Sequence, residues 1–290
     1  MSFIYRNEKG AEVILTTTKI KVADIKGLDG LKNDIGSVKG YNQHGSTYVS
    51  NTIDEREIDI SLKIITDDED YRRIKRNLLS IFNPDTKGDL IVKSVNGERE
   101  RKISTRVVES PKFKQSKSKY KNMRECEIGL IALDPYWKDK SETKTDIAIW
   151  RGKFSFPLVI KENGIIMGYR EPSLIVNTKN MGDVKCGMKI LFKAKGTLVN
   201  PQLVNIETQD FVKINKTMKK GEVIEVTTDF GNKKVSYSRN GVVENAFNYW
   251  DLYSTFLQLE VGDNLFRYNA DEGIDNLEVT IYHTSRYLGI

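Results

Sequence analysis

Apolar and polar positions alternate with a period of two along most of this chain. In "REIDISLKII" (56–65), Ile58, Ile60, Leu62 and Ile64 fall on one side, while Glu57, Asp59, Ser61 and Lys63 fall on the other. That pattern predicts a strand buried on one face. "EVILTTTKIKV" (12–22) is rich in β-branched residues and predicts another. "DLIVKSV" (89–95) and "RKISTRVVE" (101–109) flank Asn96-Gly97, a hairpin signal. "ECEIGLIAL" (125–133) alternates again and stops at Asp134-Pro135, followed at once by Tyr136 and Trp137. Two large aromatics at a strand end need something to pack on. "GLDGLKNDIGSVKGY" (27–41), with glycines at uneven spacing, reads as a loop.

One stretch changes period. Tyr71, Ile74, Leu78 and Phe82 recur at spacings of three and four, which predicts a helix over 67–82. Thr66 followed by Glu69 has the form of a capping box. Asp67, Asp68, Glu69 and Asp70 put negative charge where the helix dipole favours it, so helix-start chemistry accounts for all four without a metal. Asn83-Pro84 ends the helix.

The second half reads as strands throughout. "GKFSFPLVI", "PSLIVNT", "GMKILFKAKG", "PQLVNIET", "GEVIEVTTD", "KKVSYS", "FLQLEVG", "NLFRYN" and "NLEVTIYH" are separated by Gly, Asn, Asp and Pro. Short strands at this spacing predict a sandwich or barrel. Gly231-Asn232 marks a hairpin connection. The run from Lys138 to Thr145 is polar, so the division expected is residues 1–137, a linker over 138–150, and a second domain over 151–290. The fold class expected is mainly β.

Composition changes this picture little. The chain is 39% hydrophobic and 30% charged, enough for a real core. No run of about 18 apolar residues suggests a membrane-spanning helix, and the first residues have no signal-peptide core. Two cysteines far apart, Cys126 and Cys186, fit reduced, cytoplasmic synthesis better than a disulfide framework. The net charge of +6 is uneven: residues 1–140 hold 27 Lys/Arg against 22 Asp/Glu. That bias is milder than a nucleic-acid-binding domain usually shows.

A search for chemistry excludes more than it finds. With His44 and His283 the only histidines, there is no zinc-ligand spacing, and no GxSxG elbow is present. "GDVKCGMK" (182–189) has glycines at phosphate-loop spacing, but Met188 stands where the lysine belongs. No catalytic, cofactor or metal residues are expected, and the chain is not expected to be an enzyme. Two features admit a binding role. Lys112, Lys114, Lys117, Lys119 and Lys121, interleaved with Phe113 and Tyr120, could meet nucleic acid or an acidic partner, or form a solvated loop. Tyr249 and Trp250, in "FNYWDLYSTF" (247–256), could stack on a sugar ring or pack in a core.

In order and spacing, these pieces resemble the siphophage distal tail protein (Dit) family over nearly the whole chain. The resemblance rests on "REIDISLKI" with the capped helix and "IFNP", then "LIALDPYW" (130–137), "NTKNMGDVKCGMKILFKAKGTLVNPQLVNIET" (177–208), "GEVIEVTTDFGNKKV" (221–235), "LEVGDN" (259–264) and "LEVTIYHTSRYLGI" at the end. It implies a tail-tube-like β-barrel with one helix, followed by a sandwich similar to galectins and carbohydrate-binding modules. It implies a structural hub at the tip of a phage or prophage-derived tail: a hexameric ring of this chain joining the tail tube to the tail-tip or tail-associated lysin protein, with DNA passing through. Asp134, Pro135, Tyr136 and Trp137 are its signature, and the two aromatics are expected to anchor the strand end and fix the exit of the linker. A sugar-binding adhesion module of a tail or cell-surface particle is the alternative. A contractile or bacteriocin-like particle would need the same ring.

Overall fold

The computed structural model describes the chain apart from residues 95–98, 116–121, 148–149, 153–167 and 171–174. It forms two compact units, Met1–Lys140 together with Arg286–Ile290, and Ser141–Ser285. The fold is mainly β, as the alternation predicted.

The first unit opens with β1 (Ser2–Asn7), β2 (Glu12–Ile14), β3 (Ile20–Lys26), β4 (Asn33–Val38), β5 (Thr47–Ile53) and β6 (Arg56–Ile65). After α1 (Asp68–Ile81) come β7 (Lys87–Lys93), β8 (Glu100–Gln115), β9 (Met123–Ala132) and β10 (Trp137–Asp139). Hydrogen bonds order the main path β2-β1-β7-β8-β9-β6-β3. Its two ends share one core, because Val13 and Ile20 pack in the same cluster as Ile58, Ile60, Leu90 and Leu130. The sheet therefore curls around its apolar face. In β6 that face is Ile58, Ile60, Leu62 and Ile64, the residues the alternation selected. Tyr5 stacks on Phe82 with ring centroids 4.1 Å apart.

Four local expectations change. The strand expected over 12–22 is two, β2 and β3, because the Thr17 amide bonds back to the Ile20 carbonyl and turns the chain between them. The loop expected over 27–41 contains β4. The helix cap is Asp67 rather than Thr66: its Oδ1 accepts from the Asp70 amide at 2.9 Å. The polar run over 138–150 is not a free linker. It carries the end of β10 and all of β11 (Thr143–Ile147), whose polar residues are the outward half of paired strands. The hairpin tip expected at Asn96-Gly97 lies outside the described residues, as does most of "GKFSFPLVI".

In the second unit, β12 (Trp150–Gly152) and β13 (Gly168–Arg170) pair with each other. The rest is a sandwich built from β14 (Ile175–Asn180), β15 (Met188–Ala194), β16 (Leu198–Asn205), β17 (Phe211–Lys213), β18 (Thr217–Met218), β19 (Val223–Thr227), β20 (Lys234–Arg239), β21 (Val242–Asn245), β22 (Gly262–Glu272) and β23 (Leu277–His283). One sheet runs β11-β23-β15-β19-β20-β21 and the other β14-β22-β16-β17, with β18 on β16. Ile190, Phe192, Val226 and Val279 from the first meet Leu203, Val212, Phe266 and Tyr268 from the second in one buried cluster. Each such side chain contributes about 1.5–3 kcal/mol by leaving water.

The chain then returns to the first unit. β24 (Arg286–Tyr287) pairs with β10, Trp137 opposite Tyr287. The second unit is thus an insertion between two paired strands, and residues 286–290, expected in the second domain, belong to the first.

Candidate assembly site: an exposed arm and its root

β4 and β5 form a two-stranded sheet that hydrogen-bonds to no other described strand. Local polar bonds shape it: Tyr48 donates its hydroxyl to Asn51 Oδ1 at 2.7 Å, and Gln43 Oε1 accepts the Gly40 amide at 2.8 Å. Asn42 and Gly45 supply the positive φ angles at the tip. Ile35, Val38, Tyr48 and Val49 are exposed, and Tyr41 at the tip is 98% exposed. An isolated hairpin is at best marginal in water. Apolar side chains gathered on one mark an interaction surface.

The arm's root is held by a buried cation. Arg56 starts β6 and shares the parity of Ile58 and Ile60, so it points to the core side and is only 4% exposed. Its guanidinium meets no carboxylate at ion-pair distance among the described residues. It donates instead to four backbone carbonyls: Nε to Pro135 at 2.8 Å, Nη1 to Gly27 at 2.8 Å and Leu28 at 2.7 Å, and Nη2 to Leu288 at 2.6 Å. Burial pulls the Arg56 pKa below its ordinary value, and nearby Asp29 opposes that. A buried charge costs much unless its donors are satisfied, and the carbonyls satisfy them.

The aromatics after Asp134-Pro135 find their partner here. Trp137 is fully buried, and its Nε1 donates to the Leu28 carbonyl at 3.0 Å. Pro135 is buried and lends its carbonyl to Arg56. Asp134 pairs with Lys138 at 2.7 Å and lies 3.8 Å from Arg286. The Arg286 guanidinium stands 5.8 Å from the half-buried Tyr136 ring. The last residues complete the cluster. Tyr287 donates to Asp139 at 2.9 Å, and the Arg101 guanidinium lies 3.6 Å over its ring. Arg101 also donates to the Gly289 carbonyl at 2.6 Å, and the Ile290 amide to Asp29 Oδ1 at 3.0 Å.

The other predicted site residues lie elsewhere. Lys112 and Lys114 are in β8 and pair with Glu109 and Glu127. The Glu109 carboxylate raises the Lys112 pKa. Lys112, Glu109 and Glu127 line a groove of mixed charge with Lys26, Asp24 and Asp59. Lys117, Lys119 and Lys121 lie outside the described residues. Trp250 packs against the sandwich core and stacks on Phe256 at 4.4 Å, with Phe247 parallel at 6.1 Å. Lys216 Nζ sits 4.3 Å over the Tyr249 ring. Both Tyr249 and Trp250 are half-buried. No group of side chains among the described residues is arranged to hold a metal ion, and no helix among them is long and apolar enough to cross a membrane.

Sequence reasoning missed the arm and Arg56. The arm's signal was the β-branched run "STYVSNTI" (46–53) after Asn42 and Gly45. The signal for Arg56 was its parity within β6.

Two family models match this architecture. Residues 8–131 match a phage tail protein RIFT-related domain, and residues 181–287 match a siphovirus-type tail component, C-terminal domain. The fold and these matches define a phage tail component. Among solved structures, the Dit protein of phage SPP1 superposes with a TM-score of 0.71 at 14% identity, covering 99% of each chain. A chain of the phage P2 baseplate in its activated conformation with Ca gives 0.55 at 13% identity, covering 100% of this chain and 99% of that one. The same baseplate with Sr gives 0.54 at 14%, with the same coverage. No curated protein matches the sequence. The chain belongs to the siphophage distal tail protein (Dit) family.

Proposed function

We infer that this chain is a structural hub of a phage or prophage-derived tail. Six copies close into a ring at the tail tip, which joins the tail tube to the tail-tip or tail-associated lysin protein. The chain is made in the bacterial cytoplasm, ends in the virion tail, and DNA crosses the ring's centre. Its role is structural, not enzymatic.

The observation that carries this reading is the arm. A hairpin with exposed apolar residues on both strands and at its tip is unprofitable in a free monomer, and a second copy is the natural cover. A ring needs head-to-tail contacts, one surface meeting a different surface on the next copy, and a projecting arm supplies one half of such a pair. A stable contact of this kind buries more than about 1,000 Å² in total. The relationship to the SPP1 protein, described as a paradigm of hub adsorption apparatus in phages infecting Gram-positive bacteria, supports the placement.

The test is the mass of the purified full chain by light scattering, with negative-stain class averages. Sixfold rings with an open centre are expected, and Tyr48→Asp should dissociate them. A chain that stays monomeric both alone and with its neighbouring tail proteins overturns the reading.

A further inference from the structure

We propose that Arg56 and the returning segment Arg286–Ile290 form a latch that fixes the direction of the arm, so that only a chain completed through its second unit presents the arm for assembly. The latch is a property of the first unit. Its consequence for the ring rests on the function proposed above.

The argument begins with the arm's two legs. Gly27 precedes the incoming strand by six residues, and Arg56 follows the outgoing strand by three. Both legs therefore start within a few residues of the guanidinium. Gly27 has a φ of +81°, and a Cβ there would lie 1.9 Å from the Glu57 carbonyl oxygen. The chain can leave the sheet at this point only as glycine. Residues 27–32 make no strand. One backbone bond, from the Asp54 amide to the Lys32 carbonyl at 3.1 Å, ties the two legs to each other, and side-chain chemistry ties them to the sheet. Gly27 and Leu28 give their carbonyls to Arg56, and Leu28 gives its own to Trp137 as well.

The third element comes from the far end of the chain. Leu288 supplies the fourth carbonyl to the same guanidinium, Ile290 donates to Asp29, and Gly289 packs so closely that a Cβ would lie 2.2 Å from Asp29 Oδ1. One planar donor group thus ties three stretches of backbone that are 79 to 232 positions from Arg56 or immediately before the arm. Without residues 288–290, one donor of Arg56 and one oxygen of Asp29 lose their partners. The loop that carries Asp29 and two of the carbonyls bound to Arg56 then has fewer constraints on its exit angle.

Leverage makes this matter. A strand rises about 3.3 Å per residue, so six residues give the arm a reach of roughly 20–25 Å, and a tilt of about 10° at the root moves the tip by about 4 Å. An interface of ordinary complementarity does not survive such a displacement. Residues 286–290 follow the whole sandwich in sequence, so the latch closes only after residues 141–285 have been made. A chain cut short in the second unit would keep the arm but not its direction, and would stay out of the ring.

The experiment compares the wild-type chain with Arg56→Met and with a chain ending at Tyr287, which keeps Tyr287 in the core. Hydrogen exchange is read at the two N–H groups bound to this loop, the Asp54 amide on the Lys32 carbonyl and the Trp137 indole on the Leu28 carbonyl, and, as a control, at the buried positions of β6 and β9. Both variants should exchange at least tenfold faster at the Asp54 amide and the Trp137 indole, with the control strands unchanged, and should lose at least nine-tenths of the wild-type ring fraction. Arg56→Lys, with three donors in place of a planar fork, should restore part of both. Unchanged exchange at the Asp54 amide and the Trp137 indole in both variants overturns the latch. So does a loosened root in a chain that still assembles fully. If the wild-type chain itself never forms rings, the hub reading has failed, and the exchange at the Asp54 amide and the Trp137 indole still decides whether the latch holds the arm.

Discussion

Two hairpins in this chain share a plan and differ in what holds them. β19 and β20 form a regular antiparallel pair joined at Gly231, and so, with one bulge, do β4 and β5. In the first, Ile224, Val226 and Val235 are buried in the sandwich core. In the second, only Gly36 and Ile53 are even half-buried within the strands. The backbone hydrogen bonds are alike, so the ladder cannot explain why one is an integral part of a unit and the other projects. Packing does. A strand pair with an apolar face against a core is stabilised by its own unit, and a pair without one must be aimed from its root and stabilised from outside.

That contrast predicts a graded response in the stability of the separated chain. The largest change belongs to the root. Trp137→Ala removes a fully buried indole and should lower the stability of the first unit by about 3–5 kcal/mol in denaturant unfolding. Trp137→Phe keeps most of the packing and loses the bond to the Leu28 carbonyl, for about 1 kcal/mol. If the two variants unfold alike, the indole nitrogen contributes nothing and the root is held by packing alone.

Glycines sharpen the comparison next. Gly27 and Gly45 both have φ near +80°, but a Cβ at Gly27 meets backbone 1.9 Å away and one at Gly45 meets nothing within 4 Å. The left-handed conformation alone costs a side chain about 1–2 kcal/mol. Gly27→Ala should exceed that, because the Glu57 carbonyl cannot move without breaking β6. Gly45→Ala should leave the unfolding midpoint unchanged, since the strain sits in an arm that the core does not support. An equal loss at both positions would show that the arm is part of the cooperative unit.

How much of this was legible follows the same division. β6 could be read because burial on one face imposes a period of two, and α1 because burial on one side imposes a period near 3.6. Neither rule reaches the arm, where no face is buried and "NDIGSV" carries no period. The split of 12–22 was hidden because threonines suit a strand and also a turn closed by the Thr17 backbone. The "LIALDPYW" octet announced buried aromatics, but their partners, Leu28, Arg286 and Tyr287, come from distant sequence that no local period connects. Arg56 was visible as a charge on the core side of an alternating strand. A cation in that phase signals a cluster of unsatisfied carbonyls or a carboxylate partner, and here it was the carbonyls.

A smaller effect is expected in the supported hairpin, where one carboxylate is drawn into the fold. Burial at Glu222 would raise its pKa, but the Lys219 amide at 3.0 Å, Tyr237 and Arg239 outweigh it, and the net shift is downward. A carboxylate held below its ordinary value adds stability above its unfolded pKa of about 4.3 and loses it as pH falls through the folded value. The second unit should therefore unfold at a lower temperature in acid, and Glu222→Gln should flatten that slope. No change in slope would mean the hairpin owes its place to apolar packing alone.

The smallest effect on stability should come from the arm itself. Tyr48 is exposed, and among the described residues its hydroxyl bonds to Asn51 on the same hairpin. Surface substitutions away from core, cap and buried charge change stability by no more than about 0.5 kcal/mol. Tyr48→Ala should fall in that range when the separated chain is unfolded in denaturant, while the same variant weakens assembly. The two readings must part for the comparison to hold. A stability loss near that of Trp137→Ala would place the arm within the first unit's core energetics. An unchanged stability with unchanged assembly would remove the arm as the contact and leave its exposed apolar residues without a cover.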